Sequence, residues 1–454
     1  MKKTVRSLSG IVPLAVMLKP YPCPHGKCIY CPTQIGVPES YTKTSPVVLR
    51  ASSLDYDPYK QVQSRIKIFK LMEHPTDKIE LIIMGGTFNN YPTDYQKEFI
   101  KGCFDGANGF VSNSLEEAQK VNETAENRIV ALCLETRPDM INEKTIDQML
   151  NYGCTRIEIG VQSLDNEIHK ITERGHTVED VIKATKLLKN AGFKISYHMM
   201  LGLPGSNSDK DLEMFKTLFN DERYQPDQIK IYPTFVIRGT KLEEMYNQGV
   251  YKPYSTEQIV DLIVKIKQLI PNHVRIMRIM RDLPAEYIAS ECVYSHLRDE
   301  IQTKLKELNI KCKCIRCREV GYLEKDGKTI GELKLKRKDY QASGGKEIFL
   351  SYEDDNGALV SLLRLRIPTE SFRKEITNKT AIVREIHTYG RMAKINGEPT
   401  WQHKGYGKKL MIEAEQITKE LKCNKMVVIS GVGVREYFYK LGYKKEGPYV
   451  SKPL

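Results

Sequence analysis

The chain of 454 residues is long enough for two to four domains, and its 41% apolar and 28% charged residues exclude a fibrous or low-complexity protein. Its longest apolar runs, such as 11–18, fall far short of the ~20 residues that span a bilayer, so no membrane association is expected. Lys and Arg outnumber Asp and Glu by 70 to 57, a net +13 that suits a polyanionic partner but is also found in ordinary basic proteins. The surplus is uneven: 273–340 holds 16 basic and 11 acidic residues, more than twice the chain's average excess. Met1-Lys2-Lys3 is basic, yet the apolar stretch after it contains Pro13 and reads as a strand, not a signal peptide. A cytoplasmic protein is expected.

In chain order, short apolar runs predict strands at 14–19, 81–84, 129–134, 156–161, 194–200, 228–232 and 274–279. Helical stripes lie between them, for example Val178, Val181, Ile182, Leu187 and Leu188, and later Ile259, Ile263, Ile266 and Ile270. Repeated βα units imply parallel strands with right-handed crossovers, hence an open or closed βα barrel with its site where the strands end. Polar or Gly-rich turns follow four of these strands, at 85–87, 135–139, 160–163 and 202–205. A helix through Ile301, Leu305 and Leu308 comes next. Beyond Gly321, strands at 347–352, 358–365 and 381–389, a helix at 405–421, a strand at 426–429 and a short helix at 434–440 indicate a separate α+β domain. The fold class is therefore α/β, with expected boundaries at 1–283 for a partial βα barrel, 284–320 for a Cys-rich linker and 321–454 for the α+β domain.

Eleven cysteines without an export signal suggest a reducing compartment, where grouped cysteines mean metal more often than disulfides. Cys23, Cys28 and Cys31 have C-x4-C-x2-C spacing on the loop after the first strand. Three thiolates can hold three irons of a [4Fe–4S] cluster and leave the fourth open. An open iron at a barrel rim is what radical chemistry with S-adenosylmethionine requires, the sulfonium being cleaved by one electron to a 5′-deoxyadenosyl radical. The competing reading is a zinc site with His25 as fourth ligand. Cys312, Cys314 and Cys317, interleaved with Lys and Arg, suggest tetrahedral zinc completed by His296 or, second, Cys292, the alternative being three unligated thiols.

Gln402-His403-Lys404-Gly405-Tyr406-Gly407-Lys408 stands directly before an apolar helix and matches the Q/R-x-x-G-x-G turn whose backbone N–H groups cradle a pyrophosphate. Glu385-Ile386-His387-Thr388 before it and Tyr437-Phe438 after it are in the order of an acetyl-CoA fold of the GNAT type. An ordinary Gly-rich helix start is the plain alternative.

With these residues in place, the chain resembles, over nearly its whole length, the family of the Elongator catalytic subunit and its stand-alone archaeal and bacterial relatives. The likeness is carried by Lys19-Pro-Tyr-Pro-Cys23, Met84-Gly-Gly-Thr-Phe88, Glu135-Thr-Arg-Pro-Asp139, Gly153 to Ser163, Arg174-Gly-His-Thr177, Tyr232 to Thr240, Arg318-Glu-Val-Gly321 and Ile429-Ser-Gly-Val-Gly433. It implies a radical SAM barrel, a zinc-containing linker and a GNAT domain, acting as a tRNA uridine acetyltransferase. A carboxymethyl group built from acetyl-CoA would be added to carbon 5 of the wobble uridine. It further implies that Cys23, Cys28 and Cys31 hold the cluster and that Gly85, Gly86, Glu135, Arg137, Gln162 and Ser163 line the S-adenosylmethionine pocket. Acetyl-CoA would lie against Glu385, Ile386, His387 and Thr388, the turn Gln402 to Lys408 (Gly405, Tyr406 and Gly407 included) and Phe438. Lys78 would reach it from the barrel, and Lys78 and Tyr437 would take catalytic roles.

The partner implied is tRNA at its anticodon region, held by phosphate contacts from Arg275, Arg278, Arg281, Lys313, Arg316 and Arg318. A homodimer, and other Elongator subunits in some lineages, are compatible with that reading. Many relatives have Tyr at position 438, so no hydroxyl is expected to be needed there. The 312–317 triplet is incomplete in eukaryotic relatives, so zinc is not expected to serve the reaction itself. Relatives usually carry a basic N-terminal extension, whereas Cys23 here has 22 residues before it, so weaker tRNA affinity is expected. Two rivals remain: a protein lysine (histone) acetyltransferase with a structural cluster, and a non-enzymatic RNA-binding scaffold.

Overall fold

The computed structural model describes residues 7–281, 283–290, 296–395 and 397–454. Seven strands, β1 (Val12–Met17), β2 (Lys78–Met84), β3 (Arg128–Thr136), β4 (Arg156–Gln162), β5 (Lys194–Leu201), β6 (Gln228–Pro233) and β7 (Arg275–Ile279), form one sheet in the order 1-2-3-4-5-6-7. Every neighbouring pair is parallel and β1 does not pair with β7, so the barrel is open. All seven expected strands are present with ends shifted by at most three residues, because near-continuous apolar runs identify parallel strands well but leave their ends vague.

Amphipathic crossover helices cover the outside. Val178–Asn190 begins at a capping box between Thr177 and Asp180 and buries Val181, Ala184 and Leu188. Thr256–Leu269 begins at a second box between Ser255 and Gln258 and buries Ile259, Ile263 and Ile266. No helix among the described residues is long and apolar enough to cross a membrane.

The second sheet comprises β8 (Lys334–Gln341), β9 (Gly345–Glu353), β10 (Leu359–Pro368), β11 (Thr380–Thr388), β12 (Lys425–Val428), β13 (Lys444–Glu446) and β14 (Tyr449–Pro453), in the order 13-14-12-11-10-9-8. It is antiparallel except for β11 against β12. β8 (KLKRKDYQ) went unpredicted because it has no apolar alternation. It is an exposed edge strand, and its lysines are the charges that keep such an edge from pairing with another chain.

One face of this sheet packs on the helix Tyr406–Glu420 around Leu350, Leu363, Val383 and Leu410. The other face closes the N-terminal ends of the parallel strands, and Ile382, Val427, Ile429 and Val432 join the half-barrel core there. A buried ion network pins the contact. Arg384 donates to both oxygens of Asp227 at 2.6 and 2.8 Å and to Glu347 at 2.8 Å, while Arg366 holds Glu347 at 2.8 Å. The seven-stranded half barrel and the mixed sheet are thus two domains with one continuous interior.

Candidate functional site

At the C-terminal rim, the loop after β1 carries the first cysteine group. Cys28 is buried, and Cys23 and Cys31 are half-buried. Arg174 donates to Cys28 Sγ at 3.6 Å and to the Gly160 carbonyl at 2.6 Å. Arg137 donates to His25 Nε2 at 3.2 Å, and burial together with Arg137 and Arg174 lowers that imidazole to about 4. That Nε2 is taken up by Arg137, and two guanidinium groups beside the imidazole disfavour a cation there. The three sulfurs do not all lie within 4.8 Å of one another, whereas those of Cys312, Cys314 and Cys317 do. One tetrahedral ion with Zn–S of about 2.3 Å needs sulfurs only ~3.8 Å apart. At the first cysteine group the flanking Arg137 and Arg174 suit the negative charge of a thiolate-held cluster.

The S-adenosylmethionine candidates collect at the same rim. Gly85 and Gly86 end β2 at φ 130° and 93°, and a Cβ on Gly85 would stand 3.0 Å from that of Leu18. Gln162 ends β4 at φ 70°, a left-handed conformation that a non-glycine residue adopts only where its surroundings impose it, and Ser163 follows it, buried. Arg137 is tied to Asp139 at 2.9 Å and to the Arg174 carbonyl at 2.9 Å, so it braces the cysteine loop instead of opening into the rim.

Below the rim the half-barrel interior is charged. Glu135, Glu158 and His198 lie within 4.8 Å of one another, and Lys230 pairs with Glu158 and stands 3.8 Å from Glu135. His198 donates to Glu158 at 2.8 Å. Burial raises Glu135 to about 7 against the pull of Lys230, with Glu158 adding to the rise. Sequence reasoning missed Arg174, Glu158, His198 and Lys230. Charged residues at inward positions of otherwise apolar strands were the signal that pointed to the last three.

At the opposite end of the sheet lies a cavity of about 820 Å³ walled by both domains. β11 pairs with β12 only from Thr380 to Val383, after which β11 runs on to Thr388. The chain after β12 instead turns onto β3, where a Cβ on Gly431 would stand 2.0 Å from the Val130 carbonyl oxygen. The strands therefore part, and Glu385, Ile386, His387 and Thr388 line the gap. Gln402 anchors the Gly-rich turn by donating to the carbonyls of Gly10 at 2.9 Å and Thr388 at 3.0 Å. Lys78, the first residue of β2, donates to Gln402 Oε1 at 2.8 Å, and burial lowers it to about 8.

Gly405, Tyr406, Gly407 and Lys408 line the mouth at the N-terminus of the helix Tyr406–Glu420. The Tyr437 hydroxyl stands over Gly407, 2.9 Å from where a Cβ would be, and burial raises its pKa to about 12. Phe438, also at the cavity wall, is a core side chain 2% exposed. Although burial alone would raise it, Glu385 is held at about 2 by Lys194 at 2.7 Å and Arg364 at 2.8 Å. His387 donates Nε2–H to the Ser9 carbonyl at 2.7 Å, and burial lowers it to about 4.

Of the second cysteine group, Cys312 precedes the helix Ile315–Arg318, Cys314 is its N-cap and Cys317 lies within it, and Ile315 N–H bonds the Val274 carbonyl at 3.0 Å, which ties this segment to the parallel sheet. Its three close sulfurs suit a single tetrahedral ion. His296 is exposed, at φ 55°, and is outside the sulfur group, while Cys292 lies outside the described residues. Of the expected phosphate contacts, Arg275 is buried against Glu319 at 2.5 Å, and half-buried Arg318 pairs with Glu353 at 2.7 Å. Arg316 stacks on Tyr322 at 4.3 Å, and Arg281 bonds the Ser40 carbonyl. Lys313 is exposed.

Comparison with known proteins agrees with this arrangement. Residues 19–218 match the radical SAM superfamily and residues 226–307 the radical SAM C-terminal domain. The chain is 51% identical to the tRNA uridine(34) acetyltransferase of Methanocaldococcus jannaschii, over all of this chain and 86% of that protein. It belongs to the family of tRNA uridine(34) acetyltransferases and Elongator complex protein 3. The family's Dehalococcoides mccartyi member is 50% identical over the whole of both chains, and the Homo sapiens Elongator complex protein 3 is 42% identical over all of this chain and 86% of that one. The structure of Methanocaldococcus infernus Elp3 with an N-terminus deletion superposes with a TM-score of 0.88 at 47% identity, covering 98% of this chain and 100% of that one.

Proposed function

We propose that this family member modifies wobble uridine in tRNA by radical SAM chemistry, joining the acetyl carbons of acetyl-CoA to carbon 5 of the base as a carboxymethyl group. The observation that carries the reading is the Lys78–Gln402 hydrogen bond of 2.8 Å, through which half barrel and mixed sheet build one cavity beneath a sheet whose other end bears the three-cysteine loop. When bound, the cluster and S-adenosylmethionine supply a hydrogen-abstracting 5′-deoxyadenosyl radical. Cys23, Cys28 and Cys31 hold the cluster, and Arg137 and Arg174 balance its charge. Gly85, Gly86, Glu135, Gln162 and Ser163 shape the pocket above it.

The mixed sheet is a GNAT domain in this reading. The backbone at 405–408 cradles the pyrophosphate, Lys78 offers a cation, and Tyr437 a neutral hydroxyl donor. Cys312, Cys314 and Cys317 hold zinc, a staple at the 284–320 linker between domains at 1–283 and 321–454. Exposed Lys313 is a phosphate contact in this reading, and the edge-strand cations Lys334, Lys336 and Arg337 would exchange Asp355, Glu353 and Asp339 for phosphate, while the target base is drawn out of the anticodon stack. The cytoplasm is the compartment that suits these thiols.

The lysine acetyltransferase alternative requires a general base to deprotonate an ammonium. Glu385 at about 2 is too weak a base, and His387 already donates its Nε2–H to Ser9 and sits at about 4. The test is an anaerobic reaction of the reconstituted protein with S-adenosylmethionine, a reductant, unmodified tRNA and methyl-labelled acetyl-CoA, followed by mass spectrometry of the nucleosides. Labelled 5-carboxymethyluridine is expected. Acetyl-lysine formation that survives Cys28→Ala, with no labelled nucleoside, would favour the alternative.

A further inference from the structure

Buried cations in this chain are mostly set against carboxylates, as Arg384 is against Asp227 and Glu347 and Arg366 against Glu347. Lys267 is not. It stands in the last turn of the helix Thr256–Leu269, 1% exposed, among the residues that this helix buries with Ile259, Ile263 and Ile266. No carboxylate pairs with its ammonium among the described residues, and Nζ donates instead to Cys317 Sγ at 3.6 Å. Burial works against its charge, yet Cys317, Cys314 and Cys312 hold its pKa above the usual lysine value. The same three sulfurs lie within 4.8 Å of one another.

A neutral thiol is a weak acceptor, so an ammonium buried against three of them is left almost uncompensated. Three thiolates around one divalent ion change that, because together they carry a net −1 that a single ammonium answers. We propose that Lys267 is the counter-ion of the metal centre at Cys312, Cys314 and Cys317, and that it makes the seat of the linker on the half barrel depend on the metal. This rests on the zinc reading above and names a residue outside the ligand set that the centre requires. A protonated ammonium has no lone pair for a metal, so Lys267 acts by charge and by N–H donation to thiolate, not as a ligand. Its helix belongs to the half barrel, whereas the sulfurs belong to the linker segment. That segment is tied to the half barrel by Ile315 N–H to the Val274 carbonyl at 3.0 Å and by Arg318 Nη2 to the Asn272 carbonyl at 2.7 Å. Cys314 is itself part of the half-barrel core. Loss of the metal therefore strands a cation at the junction of linker and barrel.

The test compares the full chain, with its cluster assembled, as wild type, Lys267→Met and Lys267→Arg. Zinc affinity is read by competition with a chromophoric chelator. Lys267→Met, similar in length but uncharged, should bind zinc roughly 10- to 100-fold more weakly, the usual cost of losing an outer partner of a metal ligand. Arg298 also faces Cys317 and Cys314, so binding should weaken without vanishing. Lys267→Arg, which keeps the charge, should bind close to the wild-type affinity. Melting curves of the zinc-free proteins supply the second arm. Zinc-free Lys267→Met should melt above zinc-free wild type, because the stranded cation is gone, and added zinc should raise its melting point less. Unchanged zinc affinity in Lys267→Met, a loss in Lys267→Arg as large as in Lys267→Met, or a zinc-free Lys267→Met that melts no higher than zinc-free wild type would each overturn the counter-ion. A wild type that binds no zinc at all would instead overturn the zinc reading itself.

Discussion

At the C-terminal ends of its strands the half barrel releases loops in left-handed conformations, with Gly85, Gly86 and Gln162 at positive φ and three thiols presented by one turn. At the N-terminal ends the same strands are capped by a second sheet through Asp227, Arg384 and Glu347, none more than 2% exposed. One end is built from backbone that only a specific local sequence tolerates, the other from charges that only a specific partner surface satisfies. A site made by one loop can assemble its ligands locally. A cavity made by two domains depends on every ion pair that fixes their relation.

The sharpest way to break this contrast is Cys28→Ala. It should abolish cluster assembly and 5′-deoxyadenosine formation, read by iron content and chromatography, yet leave the calorimetric affinity for coenzyme A unchanged. A loss of coenzyme binding would show that the two ends are not independent. Arg384→Ala strikes the other end and leaves Asp227 and Glu347 buried without their cation, a cost of about 3–5 kcal/mol in denaturant unfolding. A change under about 1 kcal/mol, the scale of an exposed pair, would mean that the clamp is not what joins the domains.

Gly85→Ala probes the strained rim. At φ 130°, with Leu18 Cβ 3.0 Å from the added methyl, it should cost about 1–3 kcal/mol in thermal unfolding. The loss should be accompanied by weaker S-adenosylmethionine binding and unaltered coenzyme binding. The smallest effect concerns Lys78, lowered by burial to about 8. Its ammonium is charged below that value and neutral above it, so coenzyme affinity should fall between roughly pH 7 and 9, and Lys78→Met should flatten the profile. The folded pKa lies below the free value, so the stability contributed is complete above the free value and lost as pH falls through about 8.

Much of this architecture was legible in the chain itself. Parallel strands buried on both faces read as unbroken apolar runs, and all seven were found by that signal. Each of their polar or Gly-rich turns alone could be simple turn chemistry, and it was four of them at one rim that pointed to a site. β8 was invisible, since an edge strand with exposed residues along most of its length has no period to detect. Arg275 and Arg318 were expected to face phosphate because composition records charge without recording partners. The fold turned them inward onto Glu319 and Glu353.

The sequence alone determined the cysteine spacings, the seven parallel strands of the half barrel and the Gly-rich turn, since each depends on residues within a few positions of one another. Tertiary structure decided what joins them. It brought Lys78 to Gln402 across 324 positions and Arg384 to Asp227 across 157. It gathered the sulfurs of Cys312, Cys314 and Cys317 within 4.8 Å of one another and walled one cavity from both sheets. Contacts so distant in sequence are set by how two sheets pack, and packing depends on the shape and burial of whole surfaces, which no local pattern records.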